Sequence, residues 1–257
     1  MPLKDHAKFH PVDQWSSFHS TWAIEMMARL NTAVLPERYK ARPNLHLGKR
    51  AEVDVGTLER LEVGTLFAGE DGPDTNGGVA TAAPAYAPPT AALSVGVAFG
   101  DAEAFEVQVL GDRDGWRLVA AVELVSESNK DRDESRAVFA AKCANYLASG
   151  VAVVVVDIVT ERLVNLHLEL CDLLDLPQSV RWKSPTGLSA ICYRTVQGTL
   201  KTGLPVGNGQ VRLDVWPHAL SVGAELPTVP LWLAADLAVP LELDLTYAAA
   251  CKSLRLA

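Results

Sequence analysis

At 257 residues, with 49% hydrophobic and 21% charged side chains, the chain is long enough for one substantial globular domain whose core needs neither disulfides nor a metal. A formal net charge of −8 excludes a protein that coats nucleic acid over a broad basic surface. Four widely spaced cysteines, Cys143, Cys171, Cys192 and Cys251, exclude a CxxC or Cys/His zinc knuckle and point to reduced thiols. The N-terminal MPLKDHAKFHPVDQW carries charges where a signal peptide needs an apolar stretch, and the longest apolar run, Val151 to Val156, is too short for a bilayer. The expected location is the cytoplasm, with no membrane partner.

In chain order, Asp13 or Ser16 caps an expected helix from about Trp15 to Asn31, whose apolar positions Trp15, Phe18, Trp22 and Met26 follow helical spacing, with Glu25 in its middle. Past Pro36, Tyr39 to Leu47 and Ala51 to Leu58 read as two strands around a Gly48-Lys49-Arg50 turn. Residues 69–92, rich in Gly, Pro, Ala and Thr, read as a flexible surface insert. Phe105 to Leu110 and Trp116 to Ser126 flank GDRDG, a hairpin signal. A helix is expected from Asp133 or Ser135 through Leu147, stopped by Gly150 in a left-handed conformation. Val151 to Ile158, β-branched without alternation, reads as a strand buried on both faces. A helix between two such strands predicts a parallel pair.

Beyond residue 160 the chain reads as β-rich, over Leu163 to Leu170, Ala190 to Val196, Gln210 to Trp216 and Thr228 to Leu233, with a last helix over Leu245 to Leu254 capped by Asp244. The prolines of LDVWPHALSVGAELPTVPLWL suit edge strands or turns. The expected fold is therefore a mixed α/β sheet protein: residues 1–160 form a core and 161–257 a β-rich extension packed on it as one structural unit.

Glu123 is the most informative residue. A carboxylate inside the strand run Leu118 to Val125 must be solvated or partnered, because an unpaired buried charge is strongly penalised. Charge is also unevenly spread. Residues 1–50 carry eight Lys or Arg against four acids, and residues 176–213 carry Arg181, Lys183, Arg194, Lys201 and Arg212 with no acid. Brought together, these segments would form a phosphate-binding rim; as unrelated solvated loops they would do nothing of the kind. Competing motifs are missing: no GxxxxGK[ST], HExxH or GxSxG occurs, KTG at 201–203 lacks its Ser-x-x-Lys companion, and His6, His10, His19 and His46 are too irregular for a metal cage.

The order helix, strands, hairpin, helix, strand, with a carboxylate on each of two strands, resembles the restriction-endonuclease-like αβββαβ core of the PD-(D/E)XK nucleases. More closely, the segments WSSFH (15–19), EVDV (52–55), AVELVSESNK (121–130), KCANYLASGV (142–151), VVVVDI (153–158), LDVWPHAL (213–220) and LPTVPLWL (226–233) resemble an uncharacterised bacterial family of unknown function placed near that superfamily. The resemblance implies that Asp54 and Glu123, sixty-nine residues apart, hold Mg²⁺ or Mn²⁺ for phosphodiester hydrolysis, with Glu25 as a helix-borne acid assisting the metal. The family lysine two positions after the second acid is replaced by Val125. Lys142, with Tyr146 one helical turn later, is the first substitute and Lys130 the second.

Each residue has a structural alternative. Asp54 could be a solvated acid near a turn, Glu123 half of a structural ion pair, Lys142 and Tyr146 an exposed helical pair, Glu25 a helix-surface acid, and Asp157 a strand-end partner for a core group. Two functions follow: a metal-dependent nuclease acting on nucleic acid, or a catalytically inactive module of the same fold that binds nucleic acid or protein. Symmetric cutting of a duplex would require a homodimer, for which no stretch of the sequence marks a surface.

Overall fold

The run Ala152 to Asp157 is buried at every position, and its alternate side chains enter two different apolar clusters, Val153 and Val155 on one face, Val154 and Val156 on the other. A strand so placed must be central to a sheet covered on both sides. The computed structural model describes residues 1–6, 12–47, 51–60, 86–99, 115–196 and 211–256. In it the elements run α1 (Val12–Arg29), a π-helical turn (Leu30–Val34), β1 (Tyr39–Leu47), β2 (Ala51–Arg60), β3 (Leu93–Val97), β4 (Trp116–Leu124), α2 (Glu127–Asp131), α3 (Asp133–Ala148), β5 (Ala152–Asp157), α4 (Leu166–Leu173), a 3₁₀ turn (Gln178–Val180), β6 (Leu188–Val196), β7 (Val211–Leu220), β8 (Thr228–Trp232), β9 (Ala238–Glu242) and α5 (Leu243–Ser253).

Seven strands form one mixed sheet in the order β1-β2-β4-β5-β6-β7-β3. β4 and β5 run parallel, joined through α3 as the sequence predicts, and the remaining pairs are antiparallel. One face packs against α1, α5 and the two-stranded β8–β9 ribbon through Trp22, Met26, Val122, Val154, Leu231 and Tyr247. The other packs against α3 and α4 through Phe139, Ala140, Leu147, Val153, Leu170 and Ile191. Strands from the two halves of the chain share one sheet, so residues 161–257 extend the core's own sheet rather than lying beside it. Prolines fall where missing donors are tolerated: Pro230 and Pro240 face each other in the narrow ribbon. Gly150 ends α3 at φ +74°, with the Val151 N–H closing back to the Tyr146 carbonyl at 2.9 Å.

Four expectations are corrected or extended. Leu163 to Leu170 is not a strand: Asn165 caps α4 by accepting the His167 N–H at 2.9 Å, and Leu166, Leu170 and Cys171 bury one helical face. The alternation of apolar and polar residues there fits either period, and the cap decides it. The end of the 69–92 insert is fixed, with Ala91 buried and the Trp216 Nε1 donating to the Pro89 carbonyl at 2.8 Å, and it leads into β3, which crosses to the far sheet edge. Asp244 lies inside the first turn of α5 rather than capping it, and accepts the Met1 ammonium at 3.0 Å. The polar stretch after β4 folds as the short helix α2. Phe105 to Leu110 and residues 69–85 lie outside the described residues.

Candidate functional site

Within β4, Ala121 and Val125 enter the cluster beneath α3, and Glu123, between them, takes the same direction and is 2% exposed. The ladder between β2 and β4 ends with Val55 opposite Val122, so one further step sets Asp54 across from Glu123. At this step a side chain substitutes for the ladder, since Asp54 Oδ2 accepts the Leu124 N–H at 2.7 Å. Two carboxylates from distant parts of the sequence thus come together on neighbouring strands where the β2–β4 ladder ends.

The cation comes from α3. Lys142 donates from Nζ to Glu123 Oε2 at 2.5 Å, with its side chain 24% exposed. Burial works against its charge, but the Glu123 carboxylate outweighs that and raises the ammonium's pKa, with a smaller contribution from Asp54. One turn later, Tyr146 is buried, and its hydroxyl has no hydrogen-bond partner among the described residues. Burial, followed by the negative charge of Glu123, holds that hydroxyl well above its usual range, so it acts as a donor. Cys143, between them in sequence, is likewise pushed up by burial and is inert as a nucleophile.

From the opposite face α1 delivers His19. Its Nε2 lies 2.7 Å from the Leu124 carbonyl, which can only accept, so Nε2 carries the proton. Its Nδ1 faces Asp54 Oδ1 at 3.7 Å. The ring therefore stands between the end of β4, which it bonds, and Asp54. Sequence reasoning set the histidines aside as irregular; the signal that finds His19 is its position one turn after Trp15 on the packed face of α1, where Phe18 and Trp22 are buried.

Two other expected residues lie elsewhere. Glu25 is six positions along α1 from His19, about 120° round the helix by its pitch. It accepts from Ser253 Oγ at 2.9 Å on α5 and is not part of the acid cluster. Lys130 is fully buried and donates to Asp157 Oδ2 at 2.8 Å, one strand away from Glu123. Asp157, the carboxylate at the end of β5, also accepts the Val159 N–H at 3.1 Å. Val125, in the family lysine position, is 1% exposed in the apolar cluster and supplies no charge.

Several arginines of the basic segments are taken up by acids. Arg29 pairs with Glu242 at 2.6 Å, Arg38 with Glu59, Arg181 with Asp172 at 2.5 Å, and Arg194 and Arg212 share Asp214 at 2.8 and 2.9 Å. Lys8, Lys49, Arg50 and Lys201 lie outside the described residues.

Among the described residues no three His, Cys, Asp or Glu side chains converge as a ready-made metal cage. Asp54 and Glu123 offer hard oxygens on adjacent strands. That set suits Mg²⁺ or Mn²⁺, which keep several waters and take one or two carboxylates plus substrate oxygens, better than it suits a cation needing an all-protein shell. Among these residues no helix is long and apolar enough to cross a membrane. Comparison with protein-family models, with curated proteins and with solved structures finds no match to this chain.

Proposed function

We propose that the chain is a Mg²⁺- or Mn²⁺-dependent phosphodiesterase acting on nucleic acid, built on a restriction-endonuclease-like core. The reading is supported by the order α1-β1-β2-β4-α3-β5, with β3 diverted to the far edge and the acids on β2 and β4. One observation carries it: Asp54, Glu123 and Lys142, distant in sequence, meet at one strand end, with the lysine arriving from the helix rather than from Val125. Bound between Asp54 and Glu123, a divalent ion would neutralise charge developing on the phosphate and acidify a coordinated water.

The protein's own groups have separable tasks. Glu123 and Asp54 would hold the cation, and the Leu124 N–H fixes the rotamer of Asp54, with His19 beside it. Lys142 steadies the attacking water or a non-bridging phosphate oxygen through its ammonium. Tyr146 offers a neutral hydroxyl donor from the next turn of the same helix face. The test is cleavage of plasmid, single-stranded DNA and RNA with Mn²⁺, Mg²⁺ or EDTA. Metal-dependent cutting by the wild type that is lost in folded Asp54→Asn and Glu123→Ala supports the assignment, whereas a Glu123→Ala protein that cuts at the wild-type rate removes it.

The second reading is a catalytically inactive module of the same fold, binding nucleic acid or a protein. It draws on Val125 and on the direct contact between Lys142 and Glu123, which pairs the two charges without a metal. It predicts a protein indifferent to divalent cations.

A further inference from the structure

Resting on the phosphodiesterase reading, we propose that Lys142 is a resident cation that competes with the divalent ion for Glu123 and retreats along the face of Phe139 when that ion binds. The first observation is occupancy. Lys142 Nζ already sits 2.5 Å from Glu123 Oε2, in a place where the carboxylate is 2% exposed. An ammonium and a divalent ion on the same carboxylate lie within about 4 Å of each other, and the repulsion of three charges at that range is severe once water is thinned out. Both cannot hold Glu123 in the present geometry.

The second observation is an aromatic contact that the ammonium makes from the same position. Phe139 lies one turn before Lys142 on α3, and Nζ is 5.3 Å from its ring centroid. An aromatic face at that distance attracts an ammonium. The four-carbon stem of lysine can swing while its helix stays fixed, and the side chain is 24% exposed, so the head group can move without unpacking α3. The sealed Lys130 has no such freedom, with 0% exposure and Asp157 against it. The observed position of the ammonium touches both the carboxylate and the ring, and in this proposal the divalent cation shifts it from the first toward the second. In that state the ammonium stands beside the metal-held phosphate instead of neutralising its ligand.

The test is Mn²⁺ binding measured by calorimetry on the full chain, with no nucleic acid present. Lys142→Gln, which removes the competing charge, is expected to bind Mn²⁺ about tenfold more tightly than the wild type or better. Phe139→Leu, which keeps the volume but removes the aromatic face, is expected to bind about threefold more weakly. Thermal unfolding of both variants establishes that each is folded, and Phe139→Leu keeps the question answerable if Lys142→Gln is unstable. Tighter binding by Lys142→Gln, including binding that the wild type lacks, supports the competition. Mn²⁺ binding by the wild type that Lys142→Gln leaves equal or weaker overturns it while the two-acid metal site stands. Absence of binding in every variant overturns both.

Discussion

Two lysine–carboxylate pairs stand side by side at one end of the sheet, on the parallel strands β4 and β5. Lys142 meets Glu123 and Lys130 meets Asp157, at 2.5 and 2.8 Å. The first has a partly exposed lysine and, around it, a second acid on the neighbouring strand, His19 behind that acid and the Tyr146 hydroxyl without a described partner. The second is sealed, with lysine and acid at 0% and 5% exposure and a backbone N–H completing the acid's bonds. The chemistry available to an ion pair is set by what surrounds it: Lys130–Asp157 joins α2 to β5, and Glu123–Lys142 borders the second acid that the proposed cation site requires.

The largest effect tests the structural half of that contrast. Lys130→Met strands a buried carboxylate, and the expected loss at pH 8 is about 3–5 kcal/mol in denaturant unfolding. Adding Asp157→Leu should restore most of it, because a well-packed apolar pair replaces two desolvated charges. A single variant as stable as the wild type would show that the pair holds nothing together.

Next comes the response to metal. Mn²⁺ at a hundredfold excess over its Kd should stabilise the wild type by about 2.7 kcal/mol, a rise of about 5–11 °C in Tm for a chain of this size. Glu123→Gln should unfold at the same temperature with and without the ion. An equal shift in both proteins would place the ion elsewhere.

The sealed pair also has a pH signature. Burial lifts the Asp157 carboxyl to about 6 from its ordinary 3.8, against the pull of Lys130. A carboxyl raised in the folded state binds its proton more tightly there than in the unfolded chain. Its contribution to stability is therefore fully present below about pH 3.8 and is lost as pH rises through 6. Relative to the Lys130→Met/Asp157→Leu protein, the wild type should gain on the order of 1–3 kcal/mol between pH 7 and 4. Parallel stability profiles for the two proteins would contradict the shift.

The smallest effect is Tyr146→Phe. Removing a buried hydroxyl without a described partner should change stability by no more than about 0.5 kcal/mol, in either direction. If the hydroxyl contacts phosphate, kcat for cleavage falls about tenfold while Mn²⁺ affinity is unchanged. A loss of stability above 1 kcal/mol would make it a structural donor instead.

The strand, helix and strand over residues 116–158 were legible because burial leaves a periodic imprint: β-branched Val153 to Val156, the helical face of α3, and Gly150 where φ is +74°. A charged Glu123 within that imprint was conspicuous for the same reason. The sequence ranks Lys142 ahead of Lys130, since a helix packed across the strand can aim it at the sheet edge, but the difference in burial between them depends on β5 and is not legible there. Glu25 reads as a metal ligand because it is an acid on a helix, and His19 goes unread among irregular histidines, because the rotation of α1 against β2 is a tertiary fact. α4 was read as a strand because eight residues of mixed apolar pattern fit two periods, and only the Asn165 cap separates them.

The central claim is that Asp54 and Glu123 form one cation site. It is tested most directly by calorimetric titration of the wild type, Asp54→Ala and Glu123→Ala with Mn²⁺, without any nucleic acid. The account predicts a binding event in the wild type that either substitution abolishes while the proteins remain folded. Binding that survives both substitutions, or a wild type that takes up no ion, would contradict it.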